Sequence, residues 1–272
     1  MSGSYYLDDF NKERSVLRIS FNRPEVRNAF NDEMIEELIN LFSSIAKRED
    51  VRLVLLEGKG KAFSAGADLN WMKKMKDYSS EENKKDSERL AELFKVMNAL
   101  PQPLVGLVKG HTLGGGTGIL SVCDYVLAEE NSKFGFTEVR LGLVPAVISP
   151  FVIAKIGESQ ARAYFLSGEI FKADTALRMG LIHKVVPNEA FDKECERLIS
   201  EFLKAAPKAS KVAKELVFQV KSLSSSLKSE ELTGYTCQTI ARIRTGEEGQ
   251  EGMKALLQKE KAPWVEQALR KF

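Results

Sequence analysis

The chain is 272 residues long and carries 40 Lys and Arg against 38 Asp and Glu, a net charge of +2 at pH 7. With 43% hydrophobic and 29% charged residues, it has the composition of a globular protein able to bury a large core, not of a disordered or fibrous chain. It lacks the basic excess of a nucleic-acid binder, and no apolar run approaches the ~18–20 residues of a membrane span, so neither partner is expected. The stretch MSGSYYLDDFNKERS has no apolar signal-peptide core, which predicts a cytoplasmic protein. Cys123, Cys195 and Cys237 are odd in number and scattered; they fit no disulfide framework and no metal-binding spacing, so no metal site is expected.

In chain order, Val16 to Phe21 reads as a strand closed by the turn signal Asn22-Arg23-Pro24. Asn31 is placed to cap a helix, with Asp32 and Glu33 favouring its dipole and Met34, Ile35, Leu38, Leu41, Phe42 and Ile45 forming its apolar stripe. Val51 to Leu56 predicts a buried strand. Residues 61–68 read as a turn of small side chains, and the charged stretch from Met72 to Ser87 as a solvated loop and helix face. A helical pattern over Leu90 to Met97 ends before Pro101 and Pro103, and Leu104 to Val108 predicts another buried strand. Ile119 to Val122 reads as helix and Tyr125 to Ala128 as strand.

Beyond Pro145 the pattern turns helical: Val147 to Ile156, Ser159 to Leu166 and Ala173 to Met179, with Gly157, Gly168 and Gly180 as stops. Leu181 to Val186 reads as a short strand containing His183. From Glu189 to Gln258 the pattern is mostly helical, broken at Pro207, around Ser222 to Ser226, and at Gly246. Alternating strands and helices predict an α/β fold with a parallel or mixed sheet, divided as a core over residues 1–190 and a helical C-terminal region over 191–272.

Four features carry possible chemistry. Phe63-Ser64-Ala65-Gly66-Ala67-Asp68 follows a strand and exposes backbone N–H groups; a tight connecting turn would look the same. Gly114-Gly115-Gly116-Thr117-Gly118 stands between a strand and a helix, where free N–H groups and the helix dipole favour an anion or a carbonyl oxygen becoming one. A dinucleotide loop is its rival, but Ile119 stands where that pattern needs its last glycine. Glu138 lies among Phe136, Val139 and Leu141, so burial would suit it to proton transfer, while a salt bridge with Arg140 is the structural alternative. His111 is within reach of the glycine cluster, whereas His183 has no catalytic company, and two such separated histidines do not make a metal site.

In this order the segments resemble the crotonase (enoyl-CoA hydratase/isomerase) superfamily. The resemblance runs from Phe21-Asn22-Arg23-Pro24 through Ala62 to Asp68, Leu113-Gly114-Gly115-Gly116, Cys123-Asp124, Phe134-Gly135 with Glu138, and Leu141 to Pro145. Ala176 to Ile182 and Glu251-Gly252-Met253 carry it into the C-terminal helices. It implies a crotonase-like spiral of ββα units with a helical C-terminal trimerisation region, assembled as a homotrimer or homohexamer. It implies an acyl-CoA thioester substrate and no cofactor beyond the coenzyme A of that substrate. It assigns two oxyanion-holding N–H groups to Ala67 and Gly115, and the acid–base carboxylate to Glu138. Lys61, Ala65, Asp68 and Leu69 match positions lining the coenzyme A, and Val26 and Arg27 its N-terminal contact region.

One departure bears on the reaction. Hydratases of the family typically use two glutamates, and the first position is here Gly118. Hydration has a water to deprotonate and a proton to deliver, whereas moving a double bond needs one base, so Glu138 alone fits either a Δ3-Δ2-enoyl-CoA isomerase or a one-glutamate hydratase. A catalytically silent acyl-CoA-binding member is the third alternative. Thr137 to Pro150, with Ala146-Val147-Ile148-Ser149-Pro150 replacing a glycine-rich segment, and Phe63 to Met72 are similar to the bacterial methylglutaconyl-CoA hydratases. That favours hydration of a 3-methylglutaconyl-CoA-like thioester, as in leucine degradation. A distal carboxylate needs a cation or several donors when buried, and Arg140 is a candidate if its segment is a strand, where i and i+2 share a face.

Overall fold

A computed structural model describes residues 4–224 and 229–265. Two sheets organise it. The larger has strand order β1(Tyr6–Asn11), β2(Val16–Phe21), β3(Leu53–Gly58), β5(Leu104–Val108), β7(Tyr125–Glu129), β10(Lys184–Val186). Only β1 is antiparallel to its neighbour. The smaller sheet runs β4(Ala62–Ser64), β6(His111–Leu113), β8(Lys133–Gly135), β9(Ile170–Lys172), with β9 antiparallel. The chain thus places one strand in the large sheet, the next in the small one, and then a helix. This happens at β3–β4–α2(Leu69–Met75) with α3(Ser80–Asn98), at β5–β6–α4(Gly115–Val122), and at β7–β8–α5(Ser149–Ser167). The expected spiral of ββα units is what the chain forms.

Both faces of the inner strands β3, β5 and β7 are buried, which is why these strands read as apolar runs. Along β3, Val54 and Leu56 join the main core while Leu53 and Leu55 join a second cluster; β5 splits in the same way, with Leu104 and Val108 opposite Val105 and Leu107. The main core is filled by α1(Asp32–Ile45), whose N-cap Asn31 accepts the N–H of Met34 at 2.9 Å, and by Leu93, Phe94 and Met97 of α3. The second cluster is covered by Phe191, Cys195, Leu198, Ile199 and Leu203 of α7(Phe191–Lys204), so the first helix beyond residue 190 packs on the sheet. α6(Ala173–Arg178), α8(Pro207–Ser224), α9(Ser229–Thr245) and α10(Glu247–Gln258) complete the described helices. Among these residues no helix is long and apolar enough to cross a membrane.

The charged stretch from Met72 to Ser87 is, as expected, a loop flanked by mostly exposed helix faces: it holds most of α2 and the first turns of α3, where Ser79 and Glu82 form a reciprocal capping box. Other expectations are corrected. Strands β4, β6, β8 and β9, three residues each, give too short a pattern for alternation to register. His183 precedes β10 instead of lying in it; its Nδ1 accepts the N–H of Val126 at 2.9 Å, and burial first, with Lys155 second, pushes its pKa down to about 4. Gly157 and Gly168 break and end α5 with positive φ, as expected. Residues 225 and 226 of the expected break at Ser222 to Ser226 lie outside the described residues.

Asn28 holds the N-terminal turn to the small sheet. Fully buried and at φ 55°, it donates Nδ2–H to the carbonyls of Lys59 (2.9 Å) and Ala62 (2.8 Å), and its Oδ1 accepts the N–H of Arg23 (2.8 Å). Replacing Asn28 by Ala removes the partner of three backbone groups at once, the buried Ala62 carbonyl and the part-buried Lys59 carbonyl and Arg23 N–H. Equilibrium urea unfolding is expected to show a loss of about 2–4 kcal/mol; a change below about 0.5 kcal/mol, the surface-substitution range, would contradict this role.

Candidate active site

The site is assembled by backbone pairing between two loops. Phe30 donates its N–H to the Gly66 carbonyl (2.7 Å) and accepts the Asp68 N–H at its own carbonyl (2.8 Å), an isolated parallel bridge to Ala67. In such a bridge the central residue's own N–H points away from its partner. Ala65 donates to the Arg27 carbonyl at 2.9 Å and Gly66 to Ser64 Oγ at 3.3 Å. Ala67 is therefore left, among the described residues, with no protein acceptor for its N–H, while its neighbours are all engaged.

The second turn is built the same way. Gly114 donates to the Gly135 carbonyl at 2.9 Å, and Gly115 opens α4, where the first N–H groups of a helix have no intrahelical acceptor. Thr117 Oγ1 donates to the Thr112 carbonyl (2.6 Å) and accepts the N–H of Gly135 (3.4 Å), pinning the helix start to β6 and β8. A Cβ on Gly116 would stand 2.7 Å from Ser64 Cβ, so only glycine lets the two turns come this close.

Glu138 begins a 3-10 turn, Glu138–Leu141, directly after β8. A Cβ on Gly114 would lie 3.4 Å from its Oε1, which places the carboxylate beside the glycine turn. Its Oε2 is buried with no hydrogen-bond partner, and burial raises its pKa above the ordinary glutamate value, opposed only by its own backbone N–H. A buried carboxylate with an unspent oxygen is poised to exchange protons with a ligand.

These groups converge on one cavity of about 380 Å³. Ala67, Gly115 and Glu138 line it, as do Ala65 and Leu69; the remaining wall is mainly apolar. Lys61, Val26 and Arg27 lie outside the lining, although Arg27 touches it through its bond from Ala65. Asp68 is committed within the protein. Its Oδ1 accepts the N–H of Asn70 (2.7 Å) and Trp71 (3.4 Å), and Oδ2 meets Arg23 at 2.8 Å. Burial would push that carboxyl up, but the Asn70 N–H and Arg23 outweigh it and hold its pKa below the usual value. Arg23, which also donates to the Ala29 carbonyl at 2.6 Å, emerges as a positioning residue to which the sequence alone assigned no role.

His111 is exposed on β6 and does not line the cavity. Arg140 is corrected: its segment is a 3-10 turn, so the same-face argument for a strand does not apply, and the side chain is exposed, outside the lining. Among the described residues no group of three or more His, Cys, Asp or Glu is placed to hold a metal ion.

Gly118 has a structural counterpart. A Cβ there would stand 2.5 Å from Ile148 Cγ2 and 3.1 Å from Phe94 Cζ. The space that a side chain at 118 would need is filled by Ile148, itself a cavity residue in the Ala146 to Pro150 segment. The two departures from the usual pattern therefore occupy one place.

The enoyl-CoA hydratase/isomerase family model matches residues 11–267, and the chain belongs to that family. It is 31% identical to the 2,3-dehydroadipyl-CoA hydratase of Escherichia coli, over 91% of this chain and 94% of the relative. It is 32% identical to the short-chain-enoyl-CoA hydratase of Clostridium acetobutylicum, over 76% and 78%. Among solved structures, it is similar to an enoyl-CoA hydratase from Shewanella pealeana (36% identity, TM-score 0.88, 96% of each chain). It is also similar to Pseudomonas aeruginosa AtuE (33% identity, TM-score 0.90, 96% of this chain and 100% of that one).

Two outcomes follow. Gly118→Ala overpacks the site and is expected to lose about 1–3 kcal/mol of stability. Ile148→Ala in the same chain should recover part of that loss, so a double-mutant cycle without coupling would contradict the steric account. Because the folded-state pKa of Glu138 is raised, its ionised form opposes folding: the penalty is absent at low pH and complete once pH exceeds the folded-state value. Glu138→Gln should therefore unfold at an equal or higher temperature at pH 7.5, and a Tm several degrees lower would contradict this.

Proposed function

We propose that the protein adds water across the 2,3 double bond of an enoyl-CoA thioester with a short acyl chain ending in a carboxylate, of the 3-methylglutaconyl kind. The observation that carries the chemistry is the pairing of two unspent N–H groups, on Ala67 and Gly115, with one buried, partnerless carboxylate oxygen on Glu138. The thioester oxygen sits between the two N–H groups, which stabilise the charge it gains as an enolate; preorganised donors of this kind are each worth about 10²–10³ in rate. Water adds at C3, its proton passing to the Glu138 carboxylate. Glu138, now protonated, returns that proton to C2, so the enolate collapses to the saturated thioester with no net change in the enzyme. Coenzyme A runs past Ala65, Leu69, Asp68 and Lys61 toward Val26 and Arg27.

The carboxylate-ended tail is supported by the resemblance over residues 137–150 and 63–72, and the similarity to a 2,3-dehydroadipyl-CoA hydratase points the same way. A second reading has its own observation: with position 118 filled by Ile148 and Phe94, Glu138 alone could move a proton from C2 to C4 as a Δ3-Δ2-enoyl-CoA isomerase. For assembly, Phe218, Ile240, Leu256 and Leu257 are exposed on the C-terminal helices and support self-association as a trimer or hexamer.

Purified protein assayed on crotonyl-CoA, 3-methylglutaconyl-CoA and a 3-enoyl-CoA is expected to hydrate the glutaconyl substrate. Turnover of the 3-enoyl substrate alone would replace hydration by isomerisation. Glu138→Gln should lose about 10²–10⁴-fold in kcat while still binding acyl-CoA. In the wild type kcat/KM should fall toward acid, as Glu138 protonates at a pH above the ordinary glutamate value. Near-normal turnover by the variant would place the proton chemistry elsewhere.

A further inference from the structure

Glu138 and Asp86 are the two ionisable side chains that line the cavity, and no Lys or Arg does so among the described residues. Asp86 belongs to the face of α3 that turns inward. Phe94, against Gly118, and Leu90 follow it at four-residue steps, and Leu90 lines the cavity with it. Eight residues of helix span roughly 12 Å, so Asp86 stands well away from the place where a second acid at 118 would act. Trp71, Met72, Met75 and Leu90 line the same cavity, an apolar wall suited to an acyl chain. Trp71 Nε1 donates to Asp86 Oδ1 at 3.2 Å and fixes the carboxyl at this end of the cavity.

The charged surroundings do not neutralise it. Asp32, at the start of α1, adds like charge, and Lys74 of α2 stands 3.9 Å from Asp32 Oδ2. On α3 itself Arg89 is paired with Glu36 of α1, Glu82 is held in the capping box, and Lys85 is exposed. Burial first, then Asp32, raise the Asp86 pKa, against the Trp71 N–H. A tail carboxylate entering here meets a second carboxyl and no cation. Two ionised carboxylates brought together at this partly buried position repel each other, which favours holding one proton between them.

We propose that Asp86 is the residue that reads the acyl tail, and that it accepts a tail carboxylate by holding a proton. Binding a dicarboxylic acyl-CoA then takes up one proton from solvent, and binding an apolar acyl-CoA does not. The inference rests on the hydratase reading above and deepens it.

The test is the ratio of kcat/KM for 3-methylglutaconyl-CoA to that for crotonyl-CoA, measured from pH 6 to pH 8.5 on the full chain. Ionisation of Glu138 and the contacts to coenzyme A are common to both substrates and cancel. Above the pKa of Asp86 the wild-type ratio is expected to fall by about tenfold per pH unit, the linkage slope for one proton. In Asp86→Asn the ratio should become flat. Trp71→Phe, which removes the N–H that favours the ionised form, should move the fall to higher pH and serves if Asp86→Asn does not fold. A flat wild-type ratio with both substrates turned over, an unchanged slope in Asp86→Asn, or hydration of crotonyl-CoA alone at every pH would overturn the proposal. Hydration of neither substrate by the wild type would instead overturn the hydratase reading on which it rests.

Discussion

The site depends on two backbone hydrogen bonds. By giving its N–H to Gly66 and taking that of Asp68, Phe30 fixes the strand-like turn after β4 in an orientation that turns the Ala67 N–H outward. Asn28 and Arg23 reinforce this pairing from either side, Asn28 through the carbonyls of Lys59 and Ala62, Arg23 through Ala29 and Asp68. The glycines at 66 and 116 then let the second turn approach until Gly115 and Ala67 open onto one cavity. Electrostatic help of this kind is effective because the donors are held before charge develops, so no reorganisation accompanies the reaction.

The carboxylate side of the cavity follows a different logic. Glu138 is kept partly desolvated with one oxygen unspent, an arrangement that works against folding and in favour of proton transfer. Ile148 and Phe94 close the space around Gly118, so the proposed chemistry passes through a single acid–base group at the reacting centre. Asp86, eight residues before Phe94 on the same face of α3, is the other carboxyl that lines this cavity.

How far the sequence could be read follows from the physics of each element. The buried strands β2, β3, β5 and β7 and the capped helix α1 were visible because burial on two faces, or one apolar stripe, leaves a strong periodic record. The three-residue strands of the small sheet left none, yet they carry the turns that form the site. Ala67, Gly115 and Glu138 could be named from the ordered motifs, and the structure brings them together. Asp86 could not: in sequence it is one acid in a run of charges, and only the inward face of α3 and the indole of Trp71 distinguish it. Arg140 shows the opposite failure, a plausible partner on a strand that proves to be a 3-10 turn.

The central claim is that two backbone N–H groups and one carboxylate suffice to make and hold an enolate. It is tested most directly by following exchange of the C2 protons of butyryl-CoA with deuterium in D₂O, where neither hydration nor double-bond migration can occur. The account predicts exchange by the wild-type protein and its loss in Glu138→Gln. No exchange by the wild type, or equal exchange in both proteins, would contradict it.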